Sequence, residues 1–354
     1  MTKLNQKQQK IIALFLEKGS LQSSDIHSEL TKGGEDISLV TIKRALAEMA
    51  KEGILADTGA GRSTAYRVSA LGRIFANINH ATYCALDPDN RYGLKSYNFD
   101  LLQSLPIGIF TNDETQKMDR ATIEYKKRSN DVSPALQKKE LERLVIELSW
   151  KSSKIEGNTY TLLDTEKLIL ENTEAPGHSK REAQMILNHK DAFLFIRKNA
   201  KKYQTLTRTN LEELHAILVK DLSVGMGLRK KPVGVVGSIY RPLDNGYQIE
   251  EAVAELCRAV TRMETPYAKA MIALLGTSYI QPFEDGNKRT ARLMANAILL
   301  ANGYAPLSYR SVDEKEYRDV MLVFYEINSI LPFRKIFVEQ YDFAAKNYGV
   351  KAGE

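Results

Sequence analysis

Residues 281–292, Gln-Pro-Phe-Glu-Asp-Gly-Asn-Lys-Arg-Thr-Ala-Arg, run without a break into the apolar stretch Leu293-Met294-Ala295-Asn296-Ala297-Ile298-Leu299-Leu300. This junction constrains the chain more than any other part of it. A loop carrying an acid and a glycine that opens straight into a helix presents free N–H groups and the positive end of the helix dipole, a combination that attracts anions. Arg289 and Arg292 stand three apart, so both reach the same mouth and can grip phosphate oxygens. Asp285 is placed to hold a divalent cation bridging those phosphates, since magnesium takes one or two carboxylates plus phosphate oxygens. The constellation is one for phosphate transfer. The plainer alternative is a capped surface helix with solvated arginines.

The same half of the chain reads as mostly α. From Leu136 onward Leu141, Leu144, Val145 and Leu148 recur as one buried helical stripe. The clear interruption is Gly225 to Tyr247, where Val233-Gly234-Val235-Val236-Gly237 and Ser238-Ile239-Tyr240-Arg241 read as a short hairpin. An exposed strand edge there would recruit an extended peptide through main-chain hydrogen bonds. Tyr317, Tyr325 and Asn328 fall on later helices, where such residues more often belong to a core than to an adenine pocket.

The first residues read differently. Ile11, Ile12, Leu14 and Phe15 give a helix stopped by Gly19, Ser24 is placed to cap a second, and Ser38 caps a third in which Ile42, Leu46 and Met49 recur. Two strands follow, Ile54 to Ala56 and Ala65 to Val68, joined by Gly59-Ala60-Gly61-Arg62. Three helices and a hairpin make the plan of a winged helix-turn-helix, and Thr41 to Leu46 through Lys51 to Leu55 resembles the recognition-helix-to-wing passage of bacterial winged-helix regulators. That resemblance implies DNA contact through Thr41, Lys43, Arg44 and Arg62. A dimerisation or docking module is the competing expectation, because the segment is barely basic.

Composition excludes more than it selects. A length of 354 residues suggests two domains, and 43% hydrophobic with 27% charged residues is ordinary for a folded chain. No apolar leader and no membrane-length run is present, which points to the cytoplasm. Cys84 and Cys257 stand far apart with no C-x-x-C pattern and read as buried hydrophobes, neither a disulfide nor a zinc pair. The net charge of +6 leans towards anionic partners without choosing one.

The stretch 281–292 is similar to the signature of the Fic family: His, Pro, Phe, any residue, Asp or Glu, Gly, Asn, Gly or Lys, Arg, two of any kind, Arg. Every defining position matches except the first, where this chain has Gln281. The resemblance implies an all-α Fic-type domain with a β-hairpin flap formed by Val235, Val236, Ser238, Ile239 and Tyr240. It implies ATP and Mg2+ as cofactors, with Asp285 on the metal, Gly286, Asn287 and Lys288 lining a phosphate cradle, and Arg289 and Arg292 on the phosphates. The implied reaction is transfer of AMP to a Ser, Thr or Tyr hydroxyl of a partner protein. The family's histidine is the general base, and an amide has no basic nitrogen to replace it. Gln281 therefore implies impaired catalysis, either as a substitution in an active enzyme or in a chain that has given up the chemistry. None of the 5 histidines belongs to the motif.

Upstream, Ser152-Ser153-Lys154-Ile155-Glu156-Gly157 resembles the family's inhibitory motif, with Ser152, Glu156 and Gly157 on its fixed positions. By that resemblance Glu156 pairs with Arg292 and withholds it from the γ-phosphate. A glycine-capped helix end is the simpler alternative. The expected layout is a winged helix over 1–71, a connector over 72–135 that packs on the C-terminal domain, and a Fic domain with its inhibitory helix over 136–354. Self-association into a homodimer is left open. The alternative function is a DNA-binding regulator that uses a Fic-like domain to sense nucleotide.

Overall fold

The computed structural model describes residues 4–59, 61–131 and 133–350, and of Arg62 and Asp131 the backbone alone. Its contacts gather the chain into two units, one made of residues 1–105 with 235–241 and 319–333, the other of 106–234 with 242–318 and 334–354. The stretch expected as a connector is thus divided between them.

In the first unit Asn5 opens α1 (Gln6–Lys18) with a reciprocal capping box to Gln8. Gly19, at φ 81°, closes it. The second helix, α2 (Ser23–Lys32), starts one residue before the expected Ser24 cap. Asp25 explains the shift, because its carboxylate accepts the Gln22 N–H at 2.9 Å and makes Gln22 the cap. Ser38 caps α3 (Leu39–Lys51), accepting from Thr41 N–H at 3.2 Å, and Ile42, Leu46 and Met49 are buried. Three strands, β1 (Leu21–Gln22), β2 (Leu55–Thr58) and β3 (Ala65–Val68), pair antiparallel in the order β1-β3-β2, with Leu21 opposite Tyr66 and Leu55 opposite Val68. At two residues β1 is too short to leave a sequence pattern. Thr41, Lys43 and Arg44 are all exposed on α3. The side chain of Arg62 lies outside the described part.

Helices α4 (Ala70–Ile74), α5 (His80–Cys84) and α6 (Leu101–Ser104) complete the N-terminal part of this unit. Its distant segments are tied by Glu326, a fully buried carboxylate that accepts from Tyr83 Oη and Ser238 Oγ, both at 2.7 Å, and from Ile239 N–H at 3.2 Å. These bonds bear on the expected flap, because no strand forms between residues 225 and 245. The donors of Ser238 and Ile239 go to Glu326, Ser238 N–H closes a turn on Val235 C=O at 3.1 Å, and the flanking Pro232 and Pro242 have no N–H to offer a ladder. The segment is a loop, with an isolated bridge between Ser96 and Arg241.

The second unit is helical: α7 (Asn112–Asp131), α8 (Pro134–Ile155), α9 (Leu162–Glu171), α10 (Lys180–Lys198), α11 (Arg208–Leu218), α12 (Gly246–Arg262), α13 (Pro266–Ile280), α14 (Asn287–Ala301) and most of α16 (Leu331–Asn347), while α15 (Glu314–Ile327) belongs to the first unit from Asp319 onward. Every residue of α13 from Ala270 to Ile280 and of α14 from Arg289 to Leu300 is buried. Helices buried on all sides are the centre of a domain, and these two pack on each other across the loop 281–286. Helix α12 approaches α13 so closely at Gly276 that an added Cβ would stand 2.2 Å from Leu256 Cδ1. Cys84 and Cys257 form no disulfide and are half-buried, not fully enclosed as expected. Each follows a buried residue, Tyr83 and Leu256, and the 100° helical step carries it off the apolar stripe. Among the described residues no helix is long and apolar enough to cross a membrane.

Candidate active site

The loop that joins α13 to α14 has four of its carbonyls tied, those of Gln281, Pro282, Phe283 and Asp285. Gln281 C=O accepts from Arg229 Nε at 2.6 Å and Pro282 C=O from Arg229 N–H at 2.9 Å. Phe283 C=O accepts from Asn287 Nδ2 at 2.8 Å, while Asn287 Oδ1 accepts the Phe283 N–H at 2.8 Å. Asp285 C=O bonds to His215 Nε2 at 2.9 Å. Gly286 then takes the N-cap of α14 at φ 79°, ψ 2°, a left-handed conformation that costs glycine nothing. The amides of Asn287, Lys288 and Arg289 begin the helix with no intrahelical acceptor. The loop therefore withdraws acceptors and leaves donors, as an anion site must. Asn287, expected in the phosphate cradle, spends its side chain bracing the loop.

The two arginines of the motif differ. Arg292 is fully buried and fully engaged: Nε donates to Ser152 Oγ at 2.9 Å, Nη2 to Ser152 C=O at 2.7 Å and Nη1 to Glu156 Oε1 at 2.8 Å. Burial is the largest single influence and pulls this guanidinium down, but Glu156 and Tyr317 together outweigh it and the net shift is upward. Arg289 is 2% exposed, lies 3.5 Å from Asp285, and keeps Nη1 without any partner among the described residues. Burial dominates there and lowers its affinity for the proton, against the charges of Asp285 and Glu156. A buried guanidinium with an unused donor is costly unless something supplies an acceptor. Lys288 reaches Glu156 from the mouth at 3.6 Å.

Gln281 ends α13 at φ 51°, ψ 58°, with its N–H on Thr277 C=O. Its side chain turns back on its own helix, Nε2 donating to Ser278 C=O at 2.6 Å. A left-handed glutamine costs about 1–2 kcal/mol, so the surrounding bonds hold it there. Asp285, half-exposed, accepts from Gly286 N–H at 2.6 Å and from Arg181 Nη2 at 3.0 Å. A single carboxylate at an open mouth suits a cation that arrives on phosphates and keeps several waters. Among the described residues no cluster of three or more His, Cys, Asp or Glu could cage an ion unaided.

Sequence reasoning missed Arg181, Arg229 and His215. None lies in a motif, and His215 falls on the buried stripe of α11 with Leu211, Leu214 and Leu218, where it reads as core. Burial lowers its imidazole to about 4, so the ring is neutral. Among the expected residues the structure unites Ser152, Glu156, Asp285, Gly286, Lys288, Arg289 and Arg292.

Residues 205–299 match the Fic/DOC family model. The chain is 28% identical over 176 residues to the protein adenylyltransferase Fic of Nematostella vectensis, covering 49% of this chain and 41% of that one. It is 30% identical over 183 residues to the protein adenylyltransferase Fic of Culex quinquefasciatus, covering 51% and 36%. The chain thus spans well under half the length of these curated relatives. A Fic-domain-containing signaling protein from Bacteroides thetaiotaomicron has the same fold, at TM-score 0.55 and 22% identity over 67% of this chain and 99% of that one.

Glu156 gives the site a pH signature. Burial raises its carboxyl, but Arg292 and Lys288 outweigh that and hold it below its ordinary 4.5. A depressed carboxylate contributes stability that is fully present above the unfolded value and is lost as pH falls through the folded one. Glu156→Gln is therefore expected to lower the melting temperature most at pH 7, with the gap from the unsubstituted protein closing below about pH 4. Calorimetry across pH 3–8 measures it; a gap independent of pH would contradict the pairing.

Proposed function

The chain is a Fic family protein, and we propose that its second unit binds ATP with a divalent cation for transfer of AMP to a protein hydroxyl, under restraint by Glu156. The observation that carries this reading is the buried, half-used guanidinium of Arg289 at a helix start whose first amides have no intrahelical acceptor, beside a loop in which the carbonyls of Gln281, Pro282, Phe283 and Asp285 are tied. Such a surface accepts a polyanion and rejects a neutral or cationic ligand. The adenylyltransferase relatives supply the reaction class, which is carried over to this chain by analogy.

On this reading the helix-start amides and Arg289 hold the phosphates. Asp285, with Arg181 displaced, would hold Mg2+, which neutralises charge building on the phosphate oxygens when bound. A target hydroxyl attacks the α-phosphorus, the bond to the β-phosphate oxygen breaks, and pyrophosphate leaves. Proton removal from that hydroxyl is the step this chain lacks a group for, because Gln281 occupies the position of the base; such a loss costs about 10²- to 10⁴-fold in rate. Glu156 acts on ground-state geometry: with Nη1 of Arg292 on the carboxylate, the terminal phosphate has no second arginine to align it.

The missing base also favours a second reading, a nucleotide sensor without turnover attached to a DNA-binding unit. In support of the DNA contact, Lys43 and Arg44 are exposed on α3 and neither has an ion-pair partner among the described residues. Replacing both with Ala is expected to lower the salt slope of DNA binding by about 2, one counterion per lost phosphate contact. An unchanged slope in a fluorescence titration argues against that role.

The enzymatic reading makes its own demand. The chain as it stands is expected to bind Mg-ATP, with Arg289→Ala weakening binding at least about tenfold through loss of a charged hydrogen bond. Gln281→His combined with Glu156→Gly is expected to produce protein labelling from α-labelled ATP. Binding without labelling in the doubly substituted protein would favour the sensor.

A further inference from the structure

We propose that His215 is a positioning residue that presets the phosphate-binding loop by clamping the Asp285–Gly286 peptide; the proposal rests on the nucleotide reading of that loop. In a trans peptide the C=O and the following N–H point in opposite directions. The Asp285 C=O is held from inside by His215 Nε2 at 2.9 Å, and the Gly286 N–H is directed the other way, onto Asp285 Oδ1 at 2.6 Å. One bond therefore sets two things, the orientation of the donor at the helix cap and that of the carboxylate beside it.

The ring itself has no freedom to wander. It is fully buried and stacked on Phe283 with centroids 3.8 Å apart and planes 6° apart. Gly286 lies against it, since a Cβ added there would meet His215 Cδ2 at 3.6 Å and Val219 Cγ1 at 3.2 Å. A carbonyl oxygen only accepts, so the bond requires the tautomer with its proton on Nε2. Nδ1 is left buried with no partner among the described residues. That unused acceptor is the cost of aiming the ring at the loop and not at a neighbour within α11. Without the clamp, the Asp285 carbonyl can swing to the mouth, where it would meet phosphate oxygen with like partial charge. His215 touches neither substrate nor reacting atoms in this role.

Two substitutions separate donor from ring. His215→Phe keeps the stacking and removes the donor, whereas His215→Gln keeps an Nε2 donor at the same reach. The Phe variant is expected to bind Mg-ATP about tenfold or more weakly, the effect of leaving a buried acceptor unmet, and the Gln variant within about threefold of the unsubstituted protein. In the nucleotide-free protein, amide exchange across residues 283–288 should quicken in the Phe variant and not in the Gln variant. Long-range proton–nitrogen NMR of the unsubstituted protein is expected to show His215 protonated on Nε2, a measurement that needs no variant to fold. An Nδ1-protonated ring, or Phe-variant affinity and loop exchange equal to the unsubstituted protein, would overturn the proposal. If the unsubstituted protein binds no Mg-ATP, the nucleotide reading falls, and the tautomer and loop exchange decide the clamp by themselves.

Discussion

The guanidinium of Arg292 has no exposed surface, and the second unit is arranged around satisfying it. Taking a cation out of water costs several kcal/mol unless partners replace the solvent. Here Ser152 accepts twice and Glu156 once, all from the last turn of α8 and its cap. Helix α8 therefore ends where α14 needs its charge balanced. On the proposed reading, the same atoms that meet the requirement occupy the arginine a terminal phosphate would use, so the restraint would be the ground state of the fold and not an added device.

A second constraint is directional. An anion site needs donors at its mouth, yet every loop residue also brings a carbonyl of opposite sign. The chain resolves this by spending Arg229, Asn287 and His215 on the carbonyls of Gln281, Pro282, Phe283 and Asp285. Gln281 itself is held by backbone and cap geometry as well as by its side chain.

Much of this was legible in the residues, for physical reasons. Helix caps such as Ser38 and periodic stripes such as Ile42, Leu46 and Met49 are local, and their energetics are contained in a few neighbouring positions. The proposed anion site could be read from sequence because a glycine, a loop and a helix start are contiguous. The Ser152–Glu156 partner of Arg292 lies about 140 residues away and was reachable only through family resemblance. His215, Arg181 and Arg229 were invisible: each makes its contact across a long sequence separation, from a position where its own helix or loop gives no reason to single it out. The hairpin expected at Val233 to Arg241 failed because local β pattern cannot foresee a distant acceptor, Glu326, that takes the donors a strand would need.

Restraint by Glu156 requires that its carboxylate and a terminal phosphate compete for one donor, Arg292 Nη1. A crystal structure of the Glu156→Gly variant with Mg-ATP measures this directly. Competition predicts the γ-phosphate within hydrogen-bonding distance of Nη1, with Nε and Nη2 still on Ser152. A nucleotide bound elsewhere, or seated in the loop with its terminal phosphate turned away from Arg292, would contradict it.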